Sequence, residues 1–334
     1  MSKTKVSILI PTYNRAELLD KAISSSIEQD YDNIEIIISD NCSSDNTTKI
    51  VDKYLGDSRV KYYKNTENIG MVGNWKKCLY EYSTGDYFII LSDDDYFIDN
   101  RYISKAVELI NNNNNIVMVY ANGYIFLKDK NLKLRLDLPF ETVNDGKRIF
   151  LSKSSVLPQD FTLCNILFKR DLAIKLKAFT DDNNICCDSE LFSLICLEGN
   201  VGVIKDFVSV YTRHSNNLID TYYKNNNYII SDINSKIGIY NKSLNLFSDY
   251  SLTKFKRNTI EKSIIEVLNI IALQDKKNYN IRLNDLKENI EDLNSYITRR
   301  VKLKIMLLLN FKHIYSSFRF LKRGLKKIFT WDIL

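Results

Sequence analysis

The chain has 334 residues, 45% hydrophobic and 26% charged, with a formal net charge of +6 at pH 7. That length allows one large or two ordinary domains, and only three prolines and ten glycines argue against a disordered or loop-rich scaffold. Its six cysteines show no CxxC or zinc spacing, so they read as free thiols in a reducing cytoplasm rather than as a disulfide or zinc framework.

The N-terminal Met-Ser-Lys-Thr-Lys runs straight into a strand pattern over residues 6–10, with no apolar h-region, so no secretory signal is expected. No stretch approaches the roughly 20 apolar residues that span a bilayer. After the first strand come a helix over 16–29 and a strand over 34–39. Asp45 is placed to N-cap a helix that runs to about Leu55. A short strand over 60–63, a helix over 71–82 and a strand over 86–91 follow, then a helix over 102–110. The run Asn111 to Asn115 reads as a loop, and 116–120 and 124–127 read as strands. Such βαβα alternation predicts a doubly wound, mostly parallel α/β sheet flanked by helices, with ligands at the carboxyl ends of the strands. The middle is less regular, with strands over 162–168 and 203–211 and a helix over 189–197. From about Tyr228 the pattern is helical to the end. Strand signals stop near 215–228, which divides the chain into a sheet domain, residues 1–220, and a helical C-terminal region, residues 221–334.

The strand over 86–91 delivers Asp93-Asp94-Asp95 to its C-terminal edge. Like charges this close repel unless a cation sits among them, and a hard divalent ion is the simplest compensator. A solvated acidic turn is the competing reading of the triplet taken alone. The first strand ends in Pro11-Thr12-Tyr13-Asn14-Arg15 and the second in Ser39-Asp40-Asn41-Cys42-Ser43-Ser44-Asp45, so three strand ends present polar groups to one crevice. An aromatic such as Tyr13 can stack on a nucleobase, and a carboxylate such as Asp40 can accept the N3–H of uracil or thymine.

With these motifs in this order, the chain resembles the family 2 glycosyltransferases with the GT-A fold. The matching stretches are residues 6–15, residues 39–47, Asn68-Ile69-Gly70 with Asn74, and residues 85–95; the likeness is close over roughly 5–100 and looser over 100–215. The resemblance implies a nucleotide-sugar donor, a divalent Mn²⁺ or Mg²⁺ cofactor and an inverting transfer. It places Pro11, Thr12, Tyr13, Arg15, Asn68, Gly70 and Asn74 on the nucleotide sugar, with Asp40 on the base. The triplet takes the part of the DxD motif, in either of two registers. Many relatives read Leu-Asp-Ser-Asp-Asp where this chain reads Leu91-Ser92-Asp93-Asp94-Asp95. In that alignment Asp94 is the metal ligand, beside Asp95, and Asp93 contacts ribose or metal-bound water; as a plain DxD, Asp93 and Asp95 are the pair.

An inverting transfer needs a general base for the acceptor hydroxyl. The resemblance places it in Cys187-Asp188-Ser189-Glu190, where Cys187 stands at the usual glutamate and Asp188 matches the second acid. Asp188 is therefore the candidate base, against the plainer reading of a helix N-cap. His214, in Tyr211-Thr212-Arg213-His214, is a tentative ligand to metal or diphosphate, with a surface loop as the alternative. Arg213 is placed to neutralise a departing diphosphate. Residues 293–334 carry ten Lys/Arg against the single acid Asp332, so a basic tail follows a mildly acidic body. Over about 297–329 this tail has the spacing of a basic amphipathic helix, which suits an anionic membrane surface or packing on the protein itself. No nucleic-acid recognition motif is present. The expected protein is a cytoplasmic enzyme, peripheral on the inner face of the cell membrane. It moves a sugar, from a UDP-sugar first and a dTDP-sugar second, to a lipid-linked saccharide for surface polysaccharide. A nucleotide-sugar-binding scaffold without turnover is the alternative, motivated by Ser92 and Cys187.

Overall fold

A computed structural model of the chain describes residues 3–152, 162–213, 222–291 and 293–297, together with 302, 305, 306 and 309. His214 and nearly all of the 297–329 tail lie outside the described residues. The chain divides into two compact units, Met1–Asp220 and Thr221–Leu334.

The first unit runs β1 (Val6–Thr12), α1 (Ala16–Ile27), β2 (Ile34–Asp40), α2 (Thr47–Asp52), β3 (Val60–Lys64), α3 (Gly70–Lys77), β4 (Tyr87–Ile90), β5 (Tyr96–Phe97), α4 (Tyr102–Asn112) and β6 (Ile116–Leu127). It continues with β7 (Leu132–Leu136), β8 (Val143–Asp145), α5 (Gly146–Ser152), β9 (Ile166–Lys169), α6 (Arg170–Lys175), α7 (Cys187–Cys196) and β10 (Asn200–Arg213). One sheet holds all of these strands in the order β3-β2-β1-β4-β9-β6-β10-β5, with β7 on β6 and β8 on β10. Strands β3, β2, β1 and β4 are mutually parallel, and β6 is parallel to β10. β9 runs antiparallel to both β4 and β6, so β6 points the same way as β4. The carboxyl ends of β1, β2, β4, β6 and β10 therefore share one edge.

Strands buried on both faces must be apolar on both faces, which is why β1, β2 and β4 read as near-continuous aliphatic runs rather than alternating ones. Ile8, Ile10, Ile36, Ile38 and Ile89 are fully buried and pack in one cluster with Leu19, Ala22 and Ile23 of α1 and Ile103 and Ala106 of α4. Each such side chain stabilises the fold by roughly 1.5–3 kcal/mol.

β5, β7, β8, α5 and α6 have no counterpart in the sequence expectation, and four expected stretches are redrawn. The two strands over 116–120 and 124–127 are one. Asn122, which reads as a break, is bridged: its Nδ2 donates to Lys205 O at 2.8 Å and its Oδ1 accepts from Leu138 N at 2.7 Å. Gly123 keeps the strand close to its neighbours, since a β-carbon there would stand 3.2 Å from Asn165 Nδ2 and 3.3 Å from Ser209 O. The strand expected over 162–168 begins only at Ile166, because Asn165 turns inward to donate to Ala121 O at 2.6 Å. The helix expected over 71–82 is regular only to Lys77, then widens into a turn closed by Ser83 N donating to Cys78 O at 2.9 Å. The helix expected from Asp45 to Leu55 is the six-residue α2.

The second unit is helical: α8 (Asn226–Ser243), α9 (Asp249–Lys256), α10 (Lys262–Gln274), α11 (Tyr279–Asn289) and α12 (Leu293–Tyr296). Asn225 caps α8 by accepting from Asn227 N at 2.9 Å. Buried Asp232 accepts from Tyr222 Oη and Lys236 Nζ, both at 2.6 Å.

At the amino end of the parallel strands, remote from the shared carboxyl edge, Ser7 and Glu35 interrupt the apolar core. Glu35 accepts from Ser7 Oγ at 2.7 Å, Thr84 N at 2.6 Å, Lys61 Nζ at 2.7 Å and Lys5 Nζ at 3.0 Å. Burial alone would raise its pKa, but these four donors outweigh it and hold the carboxyl at about 2. A depressed carboxylate stabilises the fold above its unfolded pKa and loses that contribution as pH falls through the folded one. The Glu35→Gln variant is therefore expected to lose about 2 kcal/mol in urea denaturation at pH 7, and less at pH 3. An equal loss at both pH values would show that packing, not charge, sets the effect.

Candidate active site

The site is built where β1 and β4 end side by side. Ser92–Asp95 is a tight turn closed by Asp95 N donating to Ser92 O at 3.0 Å, which puts Asp93 and Asp94 at its two central positions. Thr12 Oγ1, on the last residue of β1, donates to Asp93 Oδ2 at 2.8 Å. Arg15 Nη1 reaches across to Asp93 Oδ1 at 3.0 Å and Asp94 Oδ2 at 3.1 Å. Burial would lower the guanidinium's pKa, but the charges of Asp93 and Asp94 outweigh it and hold it further above its ordinary value. Burial pushes Asp93 up to about 6 against the pull of Arg15, with Asp94 adding repulsion. Asp95 turns inward, is only 2% exposed and accepts from Thr212 N at 2.8 Å. Burial and the repulsion of Asp94 hold its pKa well above the carboxylate range.

The second wall is the loop after β2. Asp40 was expected on a base, yet it has no exposed surface: Oδ1 accepts from Ser43 N and Oδ2 from Tyr62 Oη, both at 2.7 Å. Its carboxylate holds the loop's shape from behind. Asn41 is buried too, donating to Asn68 Oδ1 at 2.8 Å and accepting from Ile69 N at 3.0 Å and Asn65 Nδ2 at 3.1 Å. Asn68 closes its own turn by accepting from Gly70 N at 2.9 Å. Gly70 has φ +79°, a left-handed conformation that glycine adopts without the clash of a β-carbon. Asn74 is also engaged within the protein: its Oδ1 accepts from Ser39 Oγ at 2.6 Å and Asn65 Nδ2 at 3.0 Å, and its Nδ2 donates to Ser39 O at 2.9 Å.

The two loops are laced together. Asn14 N donates to Ser43 Oγ and Ser44 N donates to Asn14 Oδ1, both at 2.8 Å. Asp45 accepts from Ala16 N at the start of α1 and from Thr47 N at the start of α2, both at 3.0 Å. Burial would raise its pKa, but these bonds and that from the Thr47 hydroxyl keep it low. Asn14 and Cys42 both sit at positive φ, 53° and 69°, which costs a side chain with a β-carbon about 1 kcal/mol and makes room for the close approach. Pro11 pairs in register with Ser39, half-buried, and Tyr13 stands out of the loop at 44% exposure, available to stack.

β10 supplies the far wall. Thr212 holds Asp95, and Tyr211, one residue before it, feels Asp188 as well as the triplet. Burial raises the Tyr211 phenol most, Asp95 and Asp94 add to that, Arg213 opposes, and Asp188 adds again. Asp188 therefore shares an electrostatic neighbourhood with the triplet across 93 residues of sequence. It is half-buried in the first turn of α7, where its Oδ1 accepts from Ser189 N at 2.6 Å. Cys187 beside it is 2% exposed, with its thiol pushed well above the ordinary range by burial, so of the two Asp188 is the more accessible. Sequence reasoning missed Tyr62, Asn65, Tyr211 and Thr212. Thr212 alone carried a readable signal, as the polar end of the β10 strand pattern.

Arg15 pairs with Asp93 and Asp94, and Asp95 lies buried beside them, so the one guanidinium does not balance the acids of this turn, and a hard divalent ion with oxygen ligands suits such a site. Among the described residues no three His, Cys, Asp or Glu side chains form a closed cage. Asp93 is clasped by Thr12 and Arg15, and Asp95 faces inward. Asp94, at the centre of the turn and paired with Arg15 through Oδ2 alone, is the residue that would hold such an ion.

The family model described as "Glycosyl transferase family 2" matches residues 7–176, about half of the chain. The chain belongs to this family. Over 93 residues it is 41% identical to the Campylobacter jejuni GalNAc(5)-diNAcBac-PP-undecaprenol beta-1,3-glucosyltransferase, covering 27% of this chain and 30% of that protein. Over 120 residues it is 34% identical to the Escherichia coli UDP-Glc:alpha-D-GlcNAc-diphosphoundecaprenol beta-1,3-glucosyltransferase WfaP, covering 36% and 46%. An uncharacterized glycosyltransferase of Rickettsia typhi is 31% identical over 188 residues, 56% of this chain and 57% of its own length. The matches thus span less than two thirds of these relatives. In fold, the transferase superposes on Staphylococcus aureus TarS 1–349 in complex with UDP-GlcNAc with a TM-score of 0.67 at 15% identity, over 94% of this chain and 91% of that one. It also superposes on the mannosyltransferase PcManGT of Pyrobaculum calidifontis, in complex with GDP-Man and Mn²⁺, with a TM-score of 0.52 at 15% identity, over 92% and 85%. The first unit of this family 2 transferase has the GT-A fold.

The Asn74→Ala variant is expected to strand Ser39 and Asn65 in the buried network and to lose about 1–3 kcal/mol in urea denaturation. A wild-type midpoint would return Asn74 to the role of a ligand contact that the sequence first suggested.

Proposed function

We propose that this enzyme is an inverting, divalent-cation-dependent glycosyltransferase that moves a sugar from a UDP-sugar to a hydroxyl of a lipid-linked saccharide. The observation that carries the reading is the juxtaposition of the Arg15-clasped triplet with Asp188 around Tyr211. The donor class rests on the UDP-Glc of the WfaP name and the UDP-GlcNAc of the TarS complex. The acceptor class rests on the undecaprenol-linked acceptors in the names of WfaP and the Campylobacter enzyme. A dTDP-sugar presents the same base edge and is the second donor to test. Residues 1–220 would form the catalytic domain.

Each group has one task. Tyr13 stacks on the base, and the loop braced by Asp40, Asn41 and Asn74 lines the nucleoside. Asp94 would hold the cation, whose chemistry is to neutralise charge on the diphosphate. Arg15 keeps the turn in place and adds positive charge beside the leaving group. Asp188 accepts the proton of the acceptor hydroxyl while that oxygen attacks the anomeric carbon. The bond from that carbon to the diphosphate oxygen breaks on the opposite face, which inverts the configuration. The basic tail, residues 297–329, would hold the enzyme at the inner face of an anionic membrane, where the lipid-linked acceptor resides.

Donor turnover with a panel of nucleotide sugars and Mn²⁺ is expected to be highest for UDP-sugars and to disappear on adding EDTA. The Asp188→Ala variant should lose about 10²–10⁴-fold in transfer while still binding UDP. Asp94→Ala should lose transfer together with the Mn²⁺-dependent rise in thermal midpoint. Retained transfer in either variant would remove that residue from its role. UDP-sugar binding by wild type without turnover on any acceptor would instead make the protein a nucleotide-sugar-binding scaffold, the reading that Ser92 and Cys187 motivate.

A further inference from the structure

The β6–β7 hairpin carries an apolar surface that the proposed chemistry does not use. Its turn is Lys128–Lys130, and Asn131 takes the left-handed conformation that reverses the chain. Leu132 pairs with Leu127, Leu134 with Ile125 and Leu136 with Gly123, so the leucines of β7 share one face. Leu136 is buried at the root, while Leu134 and Leu132 emerge at 38% and 45% exposure toward the tip. The other face is cationic. Lys133 Nζ lies 3.8 Å from the Tyr124 ring centre, and Arg135 lies 4.4 Å from that of Phe207 while pairing with Asp137. Over residues 127–137 four cations stand against two carboxylates. β7 is an edge strand, with no second partner among the described residues.

The hairpin rises from the rim of the crevice. Phe126 pairs with Thr212, whose N–H holds Asp95. Phe168 of β9 pairs with both Phe88 and Met118, which sets the register between β4 and β6. Leu127, one residue past Phe126, pairs with Arg213, so the hairpin begins beside the strand that holds Asp95. Lysines on an open edge strand guard against strand-to-strand pairing, but exposed leucines work against that guard and call for an apolar partner. Two leucines next to the lysines of the turn form a small amphipathic wedge of the kind that enters the boundary between acyl chains and anionic headgroups.

We propose that the β6–β7 hairpin docks the catalytic rim on an anionic lipid bilayer, with Leu132 and Leu134 entering the interface and Lys128, Lys130 and Lys133 meeting the headgroups. The proposal rests on the lipid-linked acceptor proposed above. It adds an attachment point on the catalytic unit itself, distinct from the C-terminal tail, that turns the crevice toward the membrane.

The test is co-sedimentation of the full chain with vesicles of phosphatidylglycerol and phosphatidylcholine, compared with phosphatidylcholine alone. The readout needs no sugar donor, so it succeeds or fails independently of the transfer reaction. Wild type should bind the anionic vesicles, and the Leu132→Ser/Leu134→Ser double variant should partition about tenfold less. Both positions are exposed, so the thermal midpoint should hold. A Lys128→Glu/Lys130→Glu variant, which leaves the leucines in place, should lose binding most strongly at low salt. Donor hydrolysis in solution should be unchanged in both variants. Wild-type partitioning by both variants, or a wild type that ignores anionic vesicles, would overturn the proposal. Loss of a dimer by size exclusion, with vesicle binding intact, would overturn it in favour of a second copy as the occupant.

Discussion

The contact of Arg15 with Asp93 and Asp94 joins the loop after β1 to the turn after β4, and much of the first unit serves to hold it. One guanidinium between two acids, with a third buried beside them, is an arrangement that a free chain would not maintain. It persists because β1 and β4 are neighbouring parallel strands with fully buried aliphatic faces, which fix both ends of the contact before any charge is counted. Thr12 adds a neutral donor and Thr212 a backbone donor from the opposite side. The remaining negative charge is therefore directed to one place, the tip residue Asp94, rather than spread around the turn. A preorganised charge of this kind needs little rearrangement when a compensating ligand arrives.

The polar residues around this centre fall into two kinds. Asp40, Asn41, Asn65 and Asn74 are buried and bonded to one another, to Ser39 and Ser43, and to the backbone. They replace the regular hydrogen bonds that the chain gives up when it leaves the sheet. Tyr13 is exposed, and Asp94 and Asp188 are partly buried. The motif around Asp40 thus shapes a loop through bonds within the protein.

Much of this was legible in the sequence, for physical reasons. Aliphatic runs such as Ile34 to Ile38 admit few structures other than strands buried on both faces, and an acid cluster at the end of one of them marks a charged site. The parallel half of the sheet, the crevice at its carboxyl edge and the helical second unit follow from such patterns. What stayed hidden is what depends on partners distant in sequence. Tyr96–Phe97 becomes a strand only because β10 lies beside it, and Asn122 looks like a break until Lys205 and Leu138 bridge it. The hydrogen bond that satisfies Asp40 comes from Tyr62, and Asp188 and the triplet both act on Tyr211 of β10. The spacing of acids along the chain carries neither fact.

Asp45 touches neither the triplet nor the crevice, yet it holds the first amide of α1 and the first amide of α2 with one carboxylate. The loops after β1 and β2 therefore share an anchor. They form a single mechanical part, so a change at this exposed acid would loosen both loops at once.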